Sequence, residues 1–230
     1  MTGETLQIAP IAHIRTDFGG KFGIPRQSGR APSLEGRIVF LPKYRNPDAL
    51  RGIGGFSHLW LIFDFSAAHR DEWSPMVRPP RLGGNEKIGV FASRSPFRPN
   101  PIGLSSVRLV RVEHTETDGD VLVVAGADLL DGTPILDIKP YLPASDSHPD
   151  AVGGYADAAA GHRLEVADPD GVLESFPADK RAALVECLAD DPRPSYQSDG
   201  REYSMTFAGY DVDFVVEGDV VCLRRLRALP

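Results

Sequence analysis

The sequence predicts a mainly β fold, with an N-terminal barrel or sandwich of short strands followed by a small α+β unit. Apolar runs of strand length follow one another at short spacing up to residue 132, separated by Gly, Pro and Asp turns. A longer helix-like run appears only after residue 174. Hydrophobic residues make up 42% of the 230 residues, which is enough to build a sizeable core.

The first part of the chain contains strand patterns and one short helix pattern. The run FSHLWLIFDFS is long, apolar and aromatic, which predicts a strand buried on both faces. In NPDALRGI, Asn46 is a candidate N-cap and Pro47 suits the first helical position. The predicted strands of this part cover residues 6–15, 36–41, 56–66, 87–93, 105–116 and 120–132.

After residue 141 the composition changes. Small and polar residues without periodicity fill 143–162, which predicts a linker. A strand at 162–168, a helix from Ser175 that ends before Pro192, and an antiparallel sheet from 201 to 226 follow. We therefore predict three segments: a barrel domain at 1–145, a linker at 146–160 and a small α+β domain at 161–230.

The charge is distributed unevenly along the chain. The net charge is −7, which by itself argues against nucleic acid as a partner. However, residues 1–111 contain 16 Lys+Arg and 8 Asp+Glu, whereas the remaining 119 residues contain 9 and 24. A basic half within an acidic chain indicates either an anionic partner for that half or charges that fell unevenly on a solvated surface.

Four polar loops stiffened by proline adjoin the predicted strands, at 22–29, 73–89, 93–103 and 130–141. Proline fixes φ and reduces conformational freedom before any ligand arrives, and arginine offers a planar fork for carboxylate or phosphate. Such loops on a β scaffold predict a binding site, although prolines also protect edge strands. Basic residues dominate from 76 to 111 against the single acid Glu86: Arg78, Arg81, Lys87, Arg94, Arg98, Arg108 and Arg111.

Several common sites have no sequence signal. We find no GxGxxG, no GxxxxGK[ST] and no GxSxG, so the ordinary dinucleotide, phosphate-loop and hydrolase sites are not supported. The six histidines form no pair at metal-ligand spacing, so no metal site is predicted. Cys187 and Cys222 belong to no CxxC and suit buried thiols in a reducing, cytoplasmic setting. The N-terminus lacks the basic start and apolar core of an export signal.

The longer motifs resemble the TsaA-like family, whose bacterial members are the TrmO-type tRNA methyltransferases. The resemblance is dense from about Ile8 to Tyr141 and includes DPRPSY in the C-terminal part. The motifs that carry it are FGIPRQSG (22–29), ALRGIGGFSHLWLIF (49–63), VRPPRLGGNEKIGVFASRSPFRPNPIGLS (77–105), DLLDGTPILDIKPY (128–141) and DPRPSY (191–196). Long motifs in one order are far more specific than a single short pattern.

The resemblance implies a TsaA-like β-barrel that binds S-adenosylmethionine, a homodimer with the cofactor near the subunit interface, and methylation of the exocyclic nitrogen of threonylcarbamoylated adenosine 37 in threonine tRNAs. Carried over by motif, the implied cofactor contacts are Pro25, Arg26, Gln27, Ser66, Ala67, Arg94, Leu104, Asp131, Gly132, Thr133 and Pro134.

Methyl transfer also suggests a base and RNA contacts. The acceptor nitrogen is urea-like and weakly nucleophilic, so a general base would help, and Asp137 and Tyr141 in DIKPY are the candidates. Because charge on sulfur disappears in the transition state, we expect no carboxylate close to the sulfonium. Phe97 would stack on a base or anchor its loop. The residues predicted to contact RNA are Arg78, Arg81, Phe97, Arg98, Lys139, Arg193 and Tyr196, with a structural turn at 191–196 as the alternative for the last two.

Two other functions stay open. One is a methyltransferase with the same cofactor that acts on another RNA or a small molecule. The other is a non-enzymatic module that binds RNA or nucleotides on the same barrel, for which we expect binding with a steep salt dependence and no methyl transfer.

Overall fold

The computed structural model describes residues 6–79, 86–159, 161–193 and 200–229. Within these ranges the strands are β1 (Ala12–Arg15), β2 (Glu35–Phe40), β3 (His58–Asp64), β4 (Met76–Val77), β5 (Ile88–Gly89), β6 (Ile102–Thr115), β7 (Gly119–Ala125), β8 (Pro134–Pro140), β9 (Glu165–Ala167), β10 (Glu202–Phe207), β11 (Tyr210–Glu217) and β12 (Val220–Ala228). The α-helices are α1 (Pro143–Asp146) and α2 (Arg181–Ala189). Short 3-10 helices cover Pro42–Tyr44, Pro47–Leu50, Ile53–Gly55, Ser66–Ala68, Val90–Ala92, Gly154–Ala159, Val172–Ser175 and Ala178–Lys180.

Six strands close into a barrel in the order β1-β2-β7-β6-β3-β8. Every neighbouring pair is antiparallel, so successive strand ends alternate between the two ends of the barrel. Four connections therefore share one end, which we call the loop end: the β1–β2 loop, the segment after β3, the segment before β6 and the β7–β8 loop. The predicted barrel is confirmed.

The barrel interior is filled by alternate residues of its strands. Along β3, Leu59, Leu61 and Phe63 are buried, whereas Trp60 and Ile62 are only partly covered. The prediction that this segment is buried on both faces is therefore wrong. The outer face of a closed antiparallel barrel needs no second layer, so large side chains there are only half-buried.

The second unit is a four-stranded sheet, in the order β10-β11-β12-β9, packed with helix α2. The three C-terminal strands are antiparallel as predicted, but β9 pairs with β12 in parallel. A tight hairpin forces antiparallel pairing, and no hairpin connects β9 to its neighbour, because the α2 segment lies between them. Phe18, Ala31 and Leu34 of the β1–β2 loop are buried in the core of this unit. The domain limits at 145 and 160 stay a prediction.

Two local predictions have different outcomes. Asn46 caps its helix as expected, since its side chain accepts a bond from the backbone N–H of Asp48 at 3.0 Å, although the helix is of the 3-10 type. The strand predicted at 87–93 is wrong beyond Gly89. There the N–H of Val90 donates to the carbonyl of Pro75 at 2.9 Å, and a 3-10 turn leaves Phe91 73% exposed. Among the described residues, no helix has the length and apolarity to cross a bilayer.

A glycine at the start of β6 is required by an aromatic ring. A Cβ atom on Gly103 would lie 2.2 Å from the ring of Phe63, its partner across the β3–β6 pair. We expect Gly103→Ala to displace that ring and to lower the free energy of unfolding by about 1–3 kcal/mol, as overpacked cores do. Urea denaturation measures this change. Gly55→Ala, where no atom lies within 4 Å, is the control and should change stability little; equal effects of the two substitutions would contradict the steric explanation.

A buried carboxylate makes the second unit sensitive to acid. Asp213 is 2% exposed and pairs with Arg225 at 2.8 Å. Burial raises its pKa, but the Ser204 and Arg225 hydrogen bonds and the charges of Arg225 and Arg227 outweigh burial and hold the pKa below the ordinary value of 3.8. A lowered folded-state pKa gives stability that is complete above the unfolded pKa and is lost as pH falls through the folded one. Below pH 3.8 the wild type should therefore lose stability more steeply than Asp213→Asn in urea melts at several pH values; parallel curves would contradict this assignment.

Candidate functional site

The loop end of the barrel gathers most of the predicted cofactor residues. The β1–β2 loop carries Pro25–Gln27, the turn after β3 carries Ser66 and Ala67, and the β7–β8 loop carries 131–134. Arg94 lies in the segment before β6, and Leu104 lies near the start of that strand. These residues come from sequence positions more than 100 apart, and the antiparallel ring is what brings them to one end.

The 131–134 turn is tied to the end of β1. The Asp131 carboxylate accepts the backbone N–H of Thr16 at 3.0 Å and lies 3.7 Å from a guanidinium nitrogen of Arg15. Gly132 has φ of 76°, and its N–H donates to the carbonyl of Ile14 at 2.8 Å. The hydroxyl of Thr133 donates to the carbonyl of Leu130 at 2.7 Å. This left-handed turn suits glycine, and the sequence DGTP supplies it.

Gln27 and Arg94 connect two of the loops directly. The side-chain carbonyl of Gln27 accepts a bond from Nη1 of Arg94 at 2.6 Å, and its amide donates to the carbonyl of Arg26 at 2.6 Å. Arg94 remains exposed, which leaves its guanidinium accessible to an anionic group of a ligand. Leu104 is 52% exposed and points away from the barrel interior, so any contact with a cofactor is on the outer surface.

Arg26 is placed differently from the expectation. Its guanidinium donates to the carbonyls of Asp191, at 3.1 Å, and Arg193, both in the second unit. Its backbone N–H donates to Oδ2 of Asp190 at 3.2 Å. A contact between residues so far apart leaves no local pattern in the sequence. The motif FGIPRQSG therefore predicted a cofactor contact for Arg26 but not its bonds to the second unit.

Asp128, for which the sequence predicted no role, lies in the β7–β8 loop. Its Oδ1 accepts the hydroxyl of Ser105 at 2.5 Å, and Ser105 is itself buried inside the barrel. Burial raises the pKa of Asp128, and the Ser105 bond and the charge of Arg94 oppose that rise. Asp128 is thus a carboxylate held within the field of Arg94 at the loop end. The available signal was a carboxylate between the buried apolar residues Ala127 and Leu129.

A cavity of about 340 Å³ lies beside this end, between the segment after β3 and the loop before β6. Its wall includes His69, Arg70, Trp73, Phe97 and Arg98. The Arg70 guanidinium covers one face of the Phe97 ring, 3.6 Å from its centroid, so the ring is already stacked on that side. His69 bonds the carboxylate of Asp64 at 2.7 Å.

The two base candidates lie at different places along β8: Asp137 is in the middle of the strand, opposite Ile62, and Tyr141 follows the end that is far from the loop end. Asp137 pairs with Lys139 at 2.8 Å, and its other oxygen accepts the N–H of Ile138. The ring of Tyr141 packs 5.5 Å from that of Trp60, near the start of β3. At about 3.3 Å per residue, Tyr141 lies roughly 20 Å along β8 from Pro134.

The predicted RNA contacts are spread more widely. Arg78 is exposed, and Arg98 is half-buried with Nη1 donating to the carbonyl of Ser93 at 3.2 Å. Lys139 lies opposite Trp60, away from the loop end. The side chain of Arg193 is 11% exposed and forms an ion pair with Asp191, which corresponds to the structural-turn alternative. Arg81 and Tyr196 lie outside the described residues. Within the described ranges no group of three or more His, Cys, Asp or Glu is placed to hold a metal ion.

Comparison with known proteins gives a consistent result for both units. The model of the tRNA-methyltransferase O N-terminal domain matches residues 13–147, and that of the TrmO C-terminal domain matches residues 172–228. The chain is similar to the tRNA (adenine(37)-N6)-methyltransferase of Escherichia coli K12, with 43% identity over 93% of this chain and 92% of that protein. It is 42% identical to a putative S-adenosylmethionine-dependent methyltransferase of Pseudomonas aeruginosa, over 90% and 91% of the two chains.

The solved structures agree with the sequence comparisons. A crystal structure of TrmO from P. aeruginosa superposes with a TM-score of 0.80 and 35% identity, covering 98% of each chain. The identity, the coverage of both units and the shared fold lead to one assignment: this chain belongs to the tRNA-methyltransferase O family.

Proposed function

We propose that this protein transfers the methyl group of S-adenosylmethionine to N6 of adenine 37 in tRNA. The observation that carries the proposal is that the family's motif residues lie together at one end of the barrel. The chain is also 43% identical to the tRNA (adenine(37)-N6)-methyltransferase of Escherichia coli K12. The acceptor, we further propose, is threonylcarbamoylated adenosine of threonine tRNAs, acted on by a homodimer in the cytoplasm.

The residues at the loop end fit the cofactor chemically. S-Adenosylmethionine supplies an activated methyl on a sulfonium and carries a carboxylate, an ammonium, a ribose and an adenine. The exposed guanidinium of Arg94 suits the carboxylate, and the exposed Leu104 offers an apolar surface for the adenine. The 131–134 turn and the Pro25–Gln27 segment supply backbone and side-chain hydrogen bonds.

The protein's contribution to the reaction is positioning and exclusion of water. Proline-rich loops held by the barrel fix the binding groups before the ligand arrives, so little ordering is needed at the moment of transfer. The Ser105 bond holds the carboxylate of Asp128 within the field of Arg94. No carboxylate is needed at the sulfonium, because its positive charge decreases in the transition state.

The general base stays a prediction. Tyr141 lies beyond the far end of β8 from the loop end, so a role for it in transfer would place the acceptor between two subunits, whereas Asp137 lies on β8 opposite Ile62. A dimer is supported by large apolar side chains left exposed near the loop end, including Phe91 and Leu104. If positioning alone suffices, neither side chain is required for turnover.

RNA binding is proposed for Arg78 and Arg98, which lie in or beside the cationic segment before β6. One face of the Phe97 ring is covered by Arg70, so we propose two roles for this ring: it anchors its loop, and its other face stacks on a base. The net charge of −7 predicts modest affinity that depends on this local basic patch.

Methyl transfer tests the proposed function directly. Purified protein is incubated with methyl-labelled S-adenosylmethionine and with threonine tRNA that either carries or lacks the threonylcarbamoyl group. We expect label only on the modified tRNA, because the acceptor nitrogen must be the substituted N6. Label on both tRNAs would support methyltransferase activity but contradict threonylcarbamoylated adenosine as the required acceptor. Cofactor binding without transfer to any tRNA would favour another acceptor, and tRNA binding without cofactor binding would favour a binding module.

Substitution of Asp128 separates function from stability. Asn keeps the size and can still accept the Ser105 hydroxyl, but it removes the charge that acts on Arg94. A folded-state pKa raised by burial means that the ionised carboxylate costs stability as pH rises through that pKa, so Asp128→Asn should be at least as stable as wild type at pH 7. We expect its dissociation constant for S-adenosylmethionine to rise about tenfold, which is about 1.4 kcal/mol. Calorimetric titration and urea melts measure the two effects; unchanged affinity would contradict a positioning role for Asp128.

A further inference from the structure

The loop that carries Pro25–Gln27 is built into the second unit. Phe18, Ala31 and Leu34, on either side of this segment, are fully buried in the core formed by α2 and the C-terminal sheet. The ring centroids of Phe18 and Phe207 are 5.2 Å apart. The barrel therefore supplies the two ends of the β1–β2 loop, while the second unit supplies the surface on which the loop lies.

Within this loop, Arg26 makes polar contacts that cross to the second unit. Its guanidinium donates to the carbonyls of Asp191 and Arg193, and its own N–H donates to the Asp190 carboxylate. Asp190 also pairs with Arg30 at 2.5 Å, and its side chain is only 3% exposed. These contacts converge on the turn that ends α2, so Arg26 joins its loop to that turn.

The turn is held in an unusual backbone conformation by its own side chains. Asp191 has φ of 52°, which L-residues other than Asn and Asp seldom adopt. Its carboxylate accepts two bonds from Arg193, from Nε at 2.9 Å and from Nη2 at 3.1 Å. This bidentate pair bends the chain so that the carbonyls of both residues reach the same guanidinium. His162 adds a bond to the carboxylate at 3.2 Å.

The contacts continue from the turn to the opposite wall of the site. The carbonyl of Arg26 accepts the Gln27 amide at 2.6 Å, and the Gln27 carbonyl accepts Nη1 of Arg94 at 2.6 Å. A continuous series of hydrogen bonds thus leads from Arg193 through Arg26 and Gln27 to Arg94. Each bond limits where the next residue can lie, because the two bonds made by Gln27 are both 2.6 Å long and together fix its side chain between Arg26 and Arg94.

We propose that the 191–193 turn positions the cofactor-binding loop, and that the Asp191–Arg193 ion pair sets the affinity for S-adenosylmethionine without contacting it. The inference rests on the proposed function and assigns to the second unit a role in cofactor binding. Asp191 and Arg193 are positioning residues in this account. By linkage, cofactor binding must in turn stabilise the turn by the same coupling free energy.

The test uses the full chain and the substitution Arg193→Met, which keeps an apolar stem and removes the guanidinium. We expect the dissociation constant for S-adenosylmethionine to rise about five- to tenfold, and KM for the cofactor to rise in parallel while kcat changes less than twofold. Glu186→Gln is the matched control. It alters another contact between α2 and the same loop, since Glu186 accepts the N–H of Ser33 at 2.7 Å and its hydroxyl at 2.8 Å. This control should bind the cofactor within twofold of wild type.

A double-mutant cycle tests whether the effect passes through Arg26. If the turn acts by holding that guanidinium, Arg26→Met combined with Arg193→Met should bind the cofactor no more weakly than Arg26→Met alone. Full additivity of the two substitutions would overturn the proposed route. Wild-type affinity in a folded Arg193→Met variant, judged by a cooperative thermal melt, would overturn the positioning role itself.

Amide hydrogen exchange of the wild-type protein tests the coupling between the 191–193 turn and the cofactor-binding loop without any variant. Adding S-adenosylmethionine should slow exchange of the amides at 188–193 as well as those at 26–27. Protection confined to the barrel loops would contradict the inference even if Arg193→Met failed to fold. If the wild type did not bind the cofactor at all, the proposed function would be overturned, and the inference with it. If the wild type bound the cofactor normally and Arg193→Met bound it equally well, only the inference would be overturned.

Discussion

The rest of the molecule depends on the contact between β1 and β8 that closes the barrel. The pairing is short, with Ala12 opposite Ile135 and His13 opposite Pro134. It is extended by backbone bonds from Ile11 to Ile135 and from Gly132 to Ile14, and by the Asp131 carboxylate on the N–H of Thr16. A closed ring has no free edge strand, and closure also brings the β1–β2 and β7–β8 loops together. The turn predicted to bind the cofactor is therefore the turn that completes the fold.

The two units contribute differently to the site. The barrel provides a rigid frame and a polar contact, Asp128 with Ser105, on which the charge of the exposed Arg94 acts. The second unit provides no predicted cofactor contact, yet it carries most of the polar bonds made by Arg26. Three of its acids, Asp190, Asp191 and Asp213, pair with arginines and act as structural counter-ions. Of these pairs, only Arg30–Asp190 joins the basic half of the chain to the acidic half.

Local patterns in the sequence predicted the features that depend on local physics. The positions of β2 and β3 follow from apolar runs of strand length, and the Asn46 cap follows from side-chain capping of the first turn. The run 87–93 failed as a strand because its conformation is set by a bond from Val90 to Pro75, which no short pattern encodes. The pairing of β9 was not predicted for a similar reason, since its partner strand β12 lies more than 50 residues away.

The site was predictable where long motifs carried it and unpredictable where function depends on contacts between distant segments. Motif matching identified the residues that the barrel brings together at the loop end. It could not show that Arg26 reaches 165 residues along the chain to Asp191, nor that Arg193 is enclosed in an ion pair. No role was predicted for Asp128 because its environment depends on a distant contact, the hydroxyl of Ser105 on β6.

The burial of Phe18 in the second core has a consequence for synthesis of the chain. Its ring packs against Phe207, so the β1–β2 loop has no complete surface to pack on until β10 and β11 have been synthesised. The barrel strands are all made by residue 140, yet the loop between the first two must wait for β10 and β11. The apolar side chains of this loop therefore lack their packing partners while the intervening residues are made, and chaperones bind exposed apolar segments of this kind. The nascent barrel acquires its final loop conformation only when the sheet of the second unit forms.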